Sequence, residues 1–160
     1  MTRRISVVCV VLVLLGAVPA TAQDAALKGV TEAYVVIEDL HDTAAPCGVT
    51  EADPTTAATK ALLDNGVGVA DKPIRMILYV NVNTVYLESA RLCVSDVEVE
   101  LYERLSATPR YSEQPVFGTF ILADRAAMNF SGSANHGQRI RDNVFQLVEE
   151  IAVDIRLANP

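Results

Sequence analysis

From Ile74 to Leu105 the chain alternates apolar and polar residues through two consecutive segments, IRMILYVNVNTVYLES (Ile74 to Ser89) and CVSDVEVELYERL (Cys93 to Leu105). A period of two held over this length demands a pleated sheet with one apolar and one wet face. Met76, Leu78, Val80 and Val82 share a side with Val97, Val99 and Leu101, while Tyr79, Asn81, Asn83, Glu98, Glu100 and Tyr102 fall on the other. The short break between the segments makes them antiparallel neighbours. Such a sheet must hide its apolar face under something else.

The cover is legible at the end of the chain. Ile140, Val144, Leu147, Val148, Ile151 and Ile155 recur at intervals of three and four, and Arg139, Asp142, Gln146, Glu149 and Glu150 lie opposite, which predicts a long amphipathic helix. A second helix is expected from Asp53-Pro54 to the stop signal Asn65-Gly66, with Ala57, Ala58, Ala61 and Leu62 on its apolar stripe. VTEAYVVIEDL (Val30 to Leu40) and VFGTFILADRA (Val116 to Ala126) add strands rich in β-branched and aromatic residues. The fold class is therefore α+β: a single two-layer domain with a mainly antiparallel sheet of about four strands and two helices packed on one face.

Residues 1–22 differ from the rest. Arg3 and Arg4 precede an apolar run from Ile5 to Leu15, followed by Pro19 and Ala20-Thr21-Ala22, the pattern of a cleaved export signal. The run is shorter than the roughly 20 residues a membrane span needs. Residues 23–160 are expected to form one soluble, exported domain in the periplasm or outside the cell. Cys47 and Cys93 remain after cleavage, and an even count in an oxidising compartment predicts a disulfide. No C-x-x-C spacing favours a redox role. The net charge of −7 becomes −9 once Arg3 and Arg4 are removed, leaving 11 bases against 20 acids, which disfavours nucleic acid as a partner.

Chemistry has few places to reside. The stretch NFSGSANHGQRIRDN (Asn129 to Asn143) contains serines, glycines, His136, Arg139 and Arg141 where the last helix begins. Free N–H groups there attract anions, so Ser133, Asn135, His136, Arg139 and Arg141 form a candidate ligand site, with a hydrolytic variant pairing Ser131 or Ser133 with His136. Capping and solvation explain the same residues more simply, with Ser133 or Asn135 as the cap. There is no G-x-x-x-x-G-K-[ST], G-x-S-x-G or H-E-x-x-H. No catalytic set, metal or cofactor is expected.

The other candidate is the wet face of the sheet. Tyr79, Asn81, Asn83 and Tyr102 combine apolar area with hydrogen-bonding groups, as protein-binding surfaces do, unless another part of the chain covers them. At the level of fold alone the arrangement resembles accessory domains of the bacterial cell envelope, and no residue role follows from that. The leading expectation is a non-enzymatic accessory protein whose partner is another envelope or secreted protein, or a second copy as a homodimer.

Overall fold

A computed structural model describes residues 22–160; the expected export signal lies outside them apart from Ala22. The element order is α1 (Ala22–Leu27), β1 (Glu32–Ile37), a 3₁₀ helix (Asp42–Cys47), α2 (Ala52–Asp64), β2 (Gly68–Val69), β3 (Met76–Leu87), a 3₁₀ turn (Glu88–Ala90), β4 (Leu92–Ala107), β5 (Val116–Ser131) and α3 (Ser133–Ala158). One sheet of five strands runs β2-β1-β3-β4-β5.

The two alternating segments pair antiparallel in the expected register, with Val80 opposite Val99 and Val82 opposite Val97. Val97, Val99 and Leu101 are fully buried. Their core includes Ala58, Ala61 and Leu62 of α2 and Ile140, Val144, Val148 and Ile151 of α3, so both long helices lie on one face, as the periodicity requires. Leu27 of the short α1 joins the same core.

The sheet itself departs from expectation. It has five strands rather than about four, and β1 runs parallel to both β3 and β2. A parallel neighbour needs a crossover connection, which the segment holding α2 supplies between β1 and β3. Alternation identifies a strand's buried side but not its direction, so the parallel edge was invisible in the pattern.

The start of α2 also differs. Glu51 occupies the cap position without a side-chain cap bond, and Asp53 and Pro54 lie inside the first turn. Pro54 is tolerated there because the first-turn N–H groups have no intrahelical partner. Asp53 instead accepts hydrogen bonds from Thr50 Oγ1 at 2.8 Å and from Arg141 Nη1 at 2.5 Å.

β5 is longer than Val116–Ala126 and absorbs Asn129, Phe130 and Ser131. Gly132 alone separates it from α3. A bulge at Leu122 lets Leu101 face Ala123 while Tyr102 faces Ile121. Because β3 begins opposite Glu103, the last rungs of the β4–β5 hairpin project past it as a two-stranded arm.

Candidate functional site

The stretch from Asn129 to Asn143 is strand, a single glycine, and helix. Gly132 is the cap residue of α3, and no side chain caps it; Ser133 and Asn135 are exposed residues of the first turn. His136 faces the opposite way and is fully buried. Its Nε2 lies 2.7 Å from Ser95 Oγ and its Nδ1 2.7 Å from Ser131 Oγ.

Two further bonds extend this contact into a chain of polar groups. Ser95 Oγ is 2.7 Å from Thr84 Oγ1, and Thr43 Oγ1 donates to the Thr84 carbonyl at 2.5 Å. The strand register aligns Thr84, Ser95 and Asn129 in one inward row, adjacent to the row of Tyr86, Cys93 and Ser131. Asn129 Nδ2 is buried without a hydrogen-bond partner among the described residues. Burial first, and the nearby Arg139 charge second, hold the His136 pKa below its ordinary 6.5, so the ring is neutral, with one nitrogen donating and the other accepting.

The disulfide lies beside this network. Cys47 and Cys93 are bonded with Cα atoms 5.9 Å apart, and both residues are fully buried. Cys47 ends the 3₁₀ helix and is followed by Gly48, whose φ of 68° suits glycine. The Gly48 carbonyl presses so closely on α3 that a β-carbon built on Gly137 would stand 3.0 Å from its carbon and nearer still to its oxygen. Gly137 therefore serves close packing rather than a loose loop.

The candidate ligand residues do not converge. Ser133, Asn135 and Arg139 are exposed, His136 points into the core, and Arg141 is paired with Asp53. Burial alone would raise the Asp53 pKa, but the Thr50 hydroxyl and the Arg141 charge bring it below the usual carboxylate value. Ser131 and His136 have the separation of a nucleophile and base, yet the far ring nitrogen meets a serine rather than a carboxylate. Among the described residues, no group of three or more His, Cys, Asp or Glu could hold a metal. Sequence reasoning missed Thr84 and Ser95; the available signal was a hydroxyl at an inward position in each of two adjoining strands.

On the wet face, all the buried helical residues lie beneath the other side, so no described helix covers it. Asn83 is exposed, and Tyr79 and Asn81 are half-buried. Tyr102 differs: it is 8 % exposed, 6.4 Å from the Tyr79 ring, with the Arg104 guanidinium 5.7 Å from its own ring centre. It lies opposite buried Ile77 and forms a small apolar cluster on this face. Tyr79 donates its hydroxyl proton to Glu38 and loses it reluctantly, its pKa pushed up to about 12 by that bond. Glu100 lies opposite Asp124 and near Glu98; burial, then these two charges, raise its pKa.

No family model matches the chain, and no curated protein matches it. Two solved structures are similar. A PelC dodecamer from Paraburkholderia phytofirmans is 16 % identical, with 86 % of this chain and 90 % of that chain covered and a TM-score of 0.42. A minor lipoprotein from Acinetobacter baumannii is 10 % identical, with 82 % and 92 % covered and a TM-score of 0.34. No residue role is carried across from either. No described helix is long and apolar enough to cross a membrane.

Proposed function

We propose that the chain is a non-enzymatic, exported accessory protein that docks onto another protein through the outward face of its sheet. The observation carrying this reading is that no described helix covers the face opposite the core, which holds Tyr79, Asn81 and Asn83 beside the acids Glu98, Glu100 and Asp124. Aromatic and amide groups supply contact area and hydrogen bonds on a rigid support. The acids select a partner surface bearing Lys or Arg: burial first, then the close charges of Glu98 and Asp124, keep Glu100 less acidic than a free carboxylate, and a cation would relieve the repulsion among the three.

Tyr102 is a support of this surface, packed beneath Arg104, so its replacement would disturb the sheet as well as the contact. The discriminating variants are therefore Tyr79→Ser with Asn83→Ala, and Glu100→Gln with Asp124→Asn. Capture from the native envelope fraction, with the disulfide intact, should recover a basic partner with the wild type and lose at least about tenfold in affinity with either pair. Equal recovery by wild type and both pairs would refute the reading.

A further inference from the structure

The edge of the sheet formed by β5 carries a different signal from its face. β5 pairs with β4 on one side and with no described strand on the other, so alternate N–H and C=O groups along its 16 residues lack a strand partner, and Arg125 Nη1 donates to the Asp124 carbonyl at 2.7 Å. Proteins normally guard such an edge with lysines, prolines or brevity. Between Val116 and Ser131 there is no Lys and no Pro, and the only charges are Asp124 and Arg125. Arg125 is turned toward α3, bonded to Asp154 at 2.5 Å and near Glu150 at 3.3 Å.

The side chains flanking this edge are apolar and exposed. Val116, Phe117, Phe120, Ile121, Met128 and Phe130 expose between 43 and 71 % of their surface. Phe117, Ile121, Met128 and Phe130 share the outward side with Tyr102, Asp96 and Val94 of β4, whereas Val116 and Phe120 are on the helix side. Phe120 and Val116 also line an open pocket of about 340 Å³ at the tip of the projecting arm, with Ala107 and Tyr111. A two-stranded ribbon is marginal in water unless something packs on it.

We infer that β5 is a homotypic interface, pairing antiparallel with β5 of a second copy of this chain to join two sheets into one. Area and charge favour a second copy. The six side chains present on the order of 500–600 Å² of apolar surface, most of the roughly 800 Å² that each partner brings to a standard interface. A two-fold arrangement uses that surface twice, because the same strand is both donor and acceptor. For a chain of net charge −7 the β5 edge is the place where a copy meets little like charge, since Asp124 is the one acid between Val116 and Ser131 and Arg125 follows it directly. The pairing leaves the tyrosine and acid faces of both copies on the same side, so it is compatible with partner docking but does not depend on it.

Sedimentation equilibrium and amide hydrogen exchange on the oxidised chain lacking residues 1–22 test the inference. The wild type should associate to dimers with a dissociation constant on the order of 10 µM, and β5 amides should exchange more slowly as concentration rises. Phe117→Lys with Met128→Lys places two guarding charges on exposed positions, so the fold should survive by circular dichroism while association weakens at least about tenfold. Tyr79→Ser with Asn83→Ala should leave association unchanged. A wild type that stays monomeric to about 300 µM overturns the inference, as does a lysine pair that dimerises normally. Association lost in the tyrosine pair but kept in the lysine pair overturns it too, by placing self-contact on the face. Loss of partner capture with normal dimerisation would count only against the docking function.

Discussion

Replacing Gly137 with Ala sets two opposing effects against each other at one atom. In an ordinary helix interior the change would stabilise by about 1 kcal/mol, because glycine carries the larger entropy cost. Here the added carbon would be 3.0 Å from the Gly48 carbonyl carbon and closer to its oxygen, whereas comfortable contact lies at about 3.5–4.0 Å. Relief requires α3 and the residues after the 3₁₀ helix to separate by roughly 1 Å, yet three features resist. Cys47, next to Gly48, is bonded to Cys93; His136, next to Gly137, bridges Ser95 and Ser131; and Gly48 itself depends on a positive φ. Overpacking a rigid contact costs about 1–3 kcal/mol, and opening the buried network adds a similar amount, so the net loss should be about 2–4 kcal/mol. At roughly 3–4 °C per kcal/mol for a domain of this size, calorimetry should record a fall in Tm on the order of 10 °C. An unchanged or raised Tm would refute the close-packing account. A drop in reduced protein much smaller than in oxidised protein would show the bridge to be what prevents relaxation.

Other perturbations probe neighbouring groups. The double change Cys47→Ala and Cys93→Ala opens a loop with a sequence separation of 46, and urea titration should show a loss of about 4 kcal/mol on the chain-entropy estimate. A loss below about 1 kcal/mol would mean that the loop is already confined when unfolded. Because the folded His136 pKa is depressed, the unfolded chain takes up its proton first: stability should be level for this group above pH 6.5. Below that it should fall by up to about 1.4 kcal/mol per pH unit until the folded value is reached. Between pH 6.5 and 5.5, His136→Gln should remove that slope while lowering stability throughout, and an unaltered slope would assign the titration elsewhere. Arg141→Gln breaks the pair with Asp53, but the guanidinium side chain is 40 % exposed, so the cost should stay under about 1 kcal/mol. A loss above 2 kcal/mol by urea titration would contradict that exposure.

Alternation and helical periodicity disclosed most of the architecture because each reports burial directly. Val97, Val99 and Leu101 fall inward with Leu78, Val80 and Val82, and the α3 stripe covers them, as their spacing requires. Direction and pairing beyond neighbouring strands depend on the route of the chain, so the parallel β1 could not be read from VTEAYVVIEDL. The stretch around His136 misled for a related reason. Serine, glycine and histidine signal an exposed loop by composition, but their roles were set by residues distant in sequence: Ser95 and Thr84 for the imidazole, Gly48 for Gly137. On the wet face, alternation gave the side of Tyr79 and Tyr102 correctly. It could not reveal that one tyrosine supports the other, because Arg104 and Ile77 decide that through lateral packing.

The parallel pairing of β1 divides the sheet into contacts near and far in sequence. β3, β4, β5 and α3 follow one another along the chain and meet their neighbours through hairpins or a one-residue link, so this meander needs only short loops to close. β1 reaches β3 across a much longer loop, with Tyr34 opposite Ile77. Cys47 lies within that long loop and Cys93 within the meander, so their bond ties the distant half of the fold to the local one.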